Sequence, residues 1–83
     1  MKLNSIDQTM FIDNLARNIW KKRKELRYSQ EKLADMTGLS AQYIFLLENG
    51  RIKNPGICTI LTLSNFFGCE IADLVAERQE VTV

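Results

Sequence analysis

Histidine is missing from this chain altogether. Without imidazole there is no His-based acid–base catalysis, no Ser/His or Cys/His nucleophile pair and none of the common histidine zinc sites. These absences do not exclude an enzyme, but its usual tools are missing, and the expectation is no enzyme, no cofactor and no metal. Cysteine is scarce: Cys58 and Cys69 lie eleven positions apart and form no CxxC pair. In a chain with no export signal such residues are expected as reduced, buried small hydrophobes rather than as a disulfide. No apolar run approaches the ~18 residues of a membrane span, so no membrane partner is expected. The opening MKLNSIDQTM has no apolar h-region and so carries no secretory signal. A cytoplasmic location follows as the expectation.

What is present fits one small domain. The chain has 83 residues, enough for a single core and not for two. Hydrophobic residues make up 46% of it, the level of a globular protein and above that of a disordered one. Net charge is only +1, but it is unevenly spread. Residues 1–56 carry ten Lys/Arg against six Asp/Glu, a balance of +4; residues 57–83 carry one Arg against four acids, a balance of −3. The basic residues gather in KKRKELR at 21–27 and RIK at 51–53. A basic front with an acidic back suits presentation of one face to an anionic polymer. For a lone KKRK run the solvated helix face is the better reading.

The apolar pattern is helical throughout. Residues 1–9 are polar and without period, a loose arm or a short lead-in to the first helix. From Met10 to Arg27, Ile12, Leu15, Ile19 and Leu26 recur at three-to-four spacing with one turn skipped, and Trp20 falls beside the stripe. Ser29 reads as the N-cap of a second helix, QEKLADM, with Glu31 in its first turn. Leu33, Ala34 and Met36 are assigned inward there, and Gly38 ends the helix as a C′ residue. Ser40 caps a third helix over Ala41 to Glu48, stopped by Asn49-Gly50. A basic loop, RIKNPG, is punctuated by Pro55 and Gly56. A fourth helix runs from Ile57 to Phe67, with Ile60, Leu61, Leu63, Phe66 and Phe67 assigned inward. Ile71 to Val75 forms a short fifth. The expected fold class is therefore all-α: an arm over 1–9, a five-helix domain over 10–76 and a frayed tail over 77–83.

The informative unit is helix, glycine turn, helix: QEKLADM, TGLS, AQYIFLLE. A tight turn at Gly38 sets two helices at a steep angle, and such a pair can lay its second helix in a major groove. Alone this is a weak signal. It is strengthened by Ile19 and Arg23 in helix 1, S-Q-E-K-L-A at 29–34, Gly38, Leu39 and Ser40 in the turn, and Tyr43, Ile44, Leu47, Glu48, Asn49 and Gly50 in and after helix 3. Pro55, Leu61, Leu63, Phe67, Gly68, Ile71 and Leu74 extend the pattern without a gap. Over about residues 15–75 the sequence resembles the Cro/C1-type, lambda-repressor-like helix-turn-helix family.

That resemblance implies a sequence-specific, DNA-binding transcription regulator. The expected partner is a palindromic double-stranded DNA operator, bound by a homodimer through helix 3. Ser40, Ala41, Gln42 and Leu46 hold the positions that face base edges, with Gln42 the best candidate for reading adenine. Gln30, Tyr43, Asn49, Arg51, Lys53 and Asn54 hold phosphate-contacting positions, and Gln30 also braces the recognition helix. Arg23 and Glu48 hold the positions of a buried ion pair between helices 1 and 3. The family pairs through its C-terminal helices, which makes Phe66, Cys69, Ile71, Leu74 and Val75 the expected dimer interface. With no room for an effector domain, no small-molecule effector is evident.

Three positions depart from the family pattern. Lys22 stands where leucine is frequent, Arg27 where glycine is common at the end of helix 1, and Phe45 where a small polar residue is usual. At ~100° per residue, Phe45 and Leu46 each lie about 130° from the inward direction set by Ile44 and Leu47. The outward face is thus unusually apolar. Three readings stand side by side: contact with thymine methyls, cover by the N-terminal arm or another protein, or a domain that has kept the fold for protein contact. The rival function is accordingly a protein-interaction module, an antitoxin or adaptor that buries Phe45 and Leu46 against a partner.

Overall fold

The structure, a computed structural model, describes the backbone of residues 5–77 and the side chains of residues 8–77. It is all-helical, in the order α1 (Ser5–Glu25), α2 (Gln30–Thr37), α3 (Ala41–Glu48), α4 (Ile57–Phe67) and α5 (Ile71–Val75). Helix α1 packs on α3 and α5, α2 on α3 and α4, and α4 on α5. All five helices therefore share one core. Leu15, Ile19, Leu33, Ile44, Leu63 and Leu74 are its fully buried large side chains. Each contributes on the order of 1.5–3 kcal/mol by leaving water.

Local chemistry sets the helix limits. The Ser29 hydroxyl accepts from Lys32 N (2.9 Å) and the Ser40 hydroxyl from Tyr43 N (3.0 Å), so α2 and α3 both begin at side-chain caps. Gly38, at φ +79°, closes α2 and donates its N–H to Ala34 O at 2.9 Å. Helix α1 ends differently. Tyr28 N donates to Arg23 O (3.2 Å) and Arg27 N to Lys24 O (2.9 Å), the paired bonds of a Schellman turn. The left-handed residue of that turn is Arg27, at φ 60°.

Several expectations need correcting. Helix α1 starts at Ser5, not near Met10, and so includes residues 5–9. It stops at Glu25, because the turn at Arg27 carries Leu26 out of the stripe, leaving it 45% exposed. Met36 and Leu61 lie on outer faces rather than in the core. Cys58 is exposed and only Cys69 is partly buried; both are free thiols. The first four residues of the expected arm and residues 78–83 of the expected tail lie outside the described residues. Among the described residues no helix is long and apolar enough to cross a membrane.

Candidate nucleic-acid interface

Arg23 sits at the centre of the arrangement that holds α3. Its Nε donates to Glu48 Oε2 at 2.6 Å and its Nη2 to Glu48 Oε1 at 2.8 Å. Its Nη1 donates to Tyr28 O at 2.7 Å. Gln30 Nε2 adds a fourth bond, to Glu48 Oε1 at 3.0 Å. One carboxylate on the last residue of α3 thus receives the end of α1 and the start of α2. Both ionic side chains are buried, at 9% and 2% exposed. The hydrogen bonds that Arg23 donates to Glu48 raise its pKa above the ordinary value; burial opposes this, and the charge of Glu48 assists it. The guanidinium therefore stays charged wherever the protein is folded. Sequence reading had the pair and had Gln30 as a brace of α3; it missed that the α1–α2 turn completes the network through Tyr28 O. Position alone could not reveal that, because Tyr28 contributes only its carbonyl.

With its rear thus fixed, α3 divides into two faces. Ile44 and Leu47 are buried. Gln42 is exposed, and its amide has no partner among the described residues. Phe45 is 48% exposed and Leu46 half-buried beside it. Ser40 is exposed, but its oxygen is already engaged as the α3 cap. Its remaining O–H can still donate. Ala41 packs partly against the core and is, like Leu46, only partly accessible. Tyr43 also packs its ring on the core.

The positions expected to meet phosphates fall into two groups. Arg51, Lys53 and Asn54 are exposed on the loop after α3, and their side chains have no hydrogen-bond or ion-pair partners among the described residues. Asn49 and Gln30 are already partly committed. Asn49 Nδ2 donates to Phe45 O at 2.7 Å, closing α3. Gln30 uses one N–H on Glu48, and its amide nitrogen retains a second donor. The KKRK run has a structural share of its own. Lys22, Arg23 and Lys24 occupy the last turn of α1, the negative end of its dipole. Lys24 Nζ lies 5.8 Å from the Trp20 ring centre, and Lys32 Nζ 5.8 Å from that of Tyr28.

The expected dimer residues differ in burial. Leu74 is fully buried and is removed from the set: it is a core residue, enclosed where α5 packs on α1 and α4. Phe66, Cys69, Ile71 and Val75 are partly buried against the same core. Phe66 packs with Tyr28, just past α1 (ring centres 6.1 Å), whereas Val75 O accepts from Asn14 Nδ2 (3.3 Å), in the first half of α1. Residues 14 and 28 are separated by roughly 20 Å of helix and turn. A polar clamp missed by sequence reading fixes the Val75 end. Asn18 Nδ2 donates to Leu74 O (2.8 Å) and Ala76 O (2.9 Å), and Arg17 Nη2 to Asn14 Oδ1 (3.1 Å). The signal was there: Asn14, Arg17 and Asn18 share one face of α1 at three-to-four spacing.

Comparison with known proteins agrees with this geometry. The helix-turn-helix family model matches residues 21–74, from the last turns of α1 to α5. An uncharacterized HTH-type transcriptional regulator of Sinorhizobium fredii, y4dJ, is 33% identical over 63 residues, which cover 76% of this chain and 80% of that protein. No solved structure gives a significant match. With its glycine turn, its braced third helix and a family match over most of the folded chain, this protein belongs to the Cro/C1-type helix-turn-helix family.

Proposed function

We propose that this chain is a DNA-binding transcription regulator that binds a palindromic operator as a homodimer, with α3 in the major groove. The observation that carries the reading is the contrast between the two sides of α3. Its rear is anchored by the Arg23–Glu48–Gln30 network, while its front presents Gln42 with a free amide, flanked by Phe45 and Leu46. A recognition element needs both properties: a fixed register and uncommitted side chains. The unpaired Arg51, Lys53 and Asn54 stand where α3 ends and supply contacts for the flanking phosphates. Ser40, Gln30, Tyr43 and Asn49 complete the contact set with the donors left to them. The name of the Sinorhizobium relative supports the regulatory role. The setting is taken as the cytoplasm, with action as repressor, activator or both.

A second reading is favoured by Phe45, whose half-exposed ring gives the outward face of α3 an apolar character. On that reading the domain binds a protein there and meets DNA only non-specifically. Selection of bound sequences from random duplex DNA separates the two. The regulator reading expects an enriched palindrome, altered at one position in each half-site by Gln42→Ala. Absence of any enriched motif with the wild-type chain would sink it. An unchanged motif with the variant would remove Gln42 from base readout.

A further inference from the structure

Glu48 is the only charged residue of α3, and it is turned inward, 2% exposed in its pair with Arg23. The front of the helix is therefore neutral along its whole length. It presents the Gln42 amide, the half-exposed Phe45 ring, the half-buried Leu46 and, at its start, the Ser40 hydroxyl. Asn49 follows at its end, with its Nδ2 already donating to Phe45 O. Arg51 and Lys53, the next cations, lie beyond the helix on the loop. Each base pair shows the major groove its own set of groups. Guanine offers two acceptors, N7 and O6, which suit a paired donor such as a guanidinium; cytosine offers an N4 donor, which suits a carboxylate. The front of α3 has neither. Adenine offers an acceptor at N7 beside a donor at N6, which the N–H and Oε1 of one amide match together. Against guanine the Gln42 N–H would still find an acceptor, but its Oε1 would meet only acceptors and stay unpaired. Phe45 and Leu46 discriminate between pyrimidines in the same way. The thymine methyl buries favourably against them, whereas a cytosine N4 amine covered by them would lose its water and gain no partner.

Helix geometry sets the span. At ~1.5 Å of rise per residue, Phe45 and Leu46 stand about 4.5 and 6 Å along α3 from Gln42. Base pairs stack ~3.4 Å apart, so a helix lying along the groove carries these three side chains past about three successive pairs. We infer that the centre of each operator half-site is a run of about three A·T pairs, with adenine opposite Gln42 and thymine methyls against Phe45 and Leu46. The inference rests on the regulator reading and names the class of duplex that α3 selects. Labour is then divided within the protein. The neutral helix selects sequence at the centre, and the loop cations hold the flanking phosphates whatever the sequence. The Ser40 hydroxyl suits either kind of pair and adds no preference at the start of the helix.

Selection of bound sequences from random duplex DNA by the full wild-type chain, by Gln42→Ala and by Phe45→Ser tests this, with helical content checked by circular dichroism. The expected wild-type result is a palindrome with A·T pairs at the positions that the two variants change. In the selected duplex, replacing the adenine with 7-deazaadenine, which lacks the N7 acceptor, should weaken wild-type binding about fivefold and Gln42→Ala by less than about twofold. G·C pairs at the variant-sensitive positions overturn the inference and leave the regulator reading standing. A·T pairs that both variants still select to the wild-type degree also overturn it, because DNA shape rather than α3 then carries the preference. A 7-deazaadenine effect of equal size in wild type and Gln42→Ala does the same. Absence of any enriched motif overturns the regulator reading, and the inference with it.

Discussion

Arg23 and Glu48 meet side-on: Nε to Oε2 at 2.6 Å and Nη2 to Oε1 at 2.8 Å, across 25 positions of sequence. The pair fastens the end of α3 to the end of α1, and through Gln30 to the start of α2. Removing one partner leaves the other charge buried and alone. Glu48→Ala or Arg23→Ala should therefore cost ~3–5 kcal/mol in urea unfolding. Replacing both with apolar residues, as in Arg23→Met with Glu48→Leu, should recover much of that stability. A loss in the double variant equal to the sum of the two single losses would mean that the pair contributes no coupling.

Arg27 holds a left-handed backbone at φ 60°, where glycine carries no Cβ penalty. Its side chain is exposed, so the substitution removes no packing. Arg27→Gly should stabilise the fold by about 1 kcal/mol, seen as a raised urea midpoint with an unchanged slope. A lower midpoint would show that the guanidinium contributes more than the backbone strain costs.

Arg51 lies exposed at the end of the recognition helix with an uncommitted guanidinium, while its backbone N–H closes on Leu46 O at 2.9 Å. A phosphate contact at this position predicts a specific effect. Arg51→Ala should weaken binding to all duplexes by a similar factor, and should flatten the plot of log affinity against log salt by about 1. A change confined to one sequence would reassign Arg51 to base readout.

Phe45 is half-exposed on the front of α3, so Phe45→Ser should leave stability within about 0.5 kcal/mol. If the ring meets a thymine methyl, uracil in place of that thymine should weaken the wild type by roughly 1 kcal/mol. The same exchange should leave the serine variant unaffected. Equal responses of the two proteins would release Phe45 for protein contact.

Burial raises the Cys69 pKa above its ordinary value; nearby Lys22 opposes this, while Asp73 and Glu70 add to it. Less thiolate is then available at neutral pH, and Cys58 is the exposed one of the pair. A thiol-reactive probe at pH 7.5 should label Cys58 first and Cys69 several-fold more slowly. Labelling at Cys69 should rise as pH passes above 9, the ordinary thiol value. Equal rates at neutral pH would contradict the burial of Cys69.

Local rules made much of the fold legible. Ser29 and Ser40 announce helices because a hydroxyl before a helix satisfies an unpaired N–H, and both hydroxyls do so here. Gly38 announces the turn because the backbone there is left-handed. Ile44 and Leu47 are inward by helical period alone, and the outward positions of Gln42 and Phe45 follow from the same period. These properties depend on neighbours a few residues away, so the order of residues determines them. Other features depend on residues distant in sequence, and only the folded chain decides them. Ala41 packs partly against the core, and Leu74 is enclosed by α1 and α4 rather than left on a surface. The carbonyl of Tyr28 becomes a ligand of Arg23, and Asn14, Arg17 and Asn18 become a clamp, because the packing of α5 brings its end alongside α1.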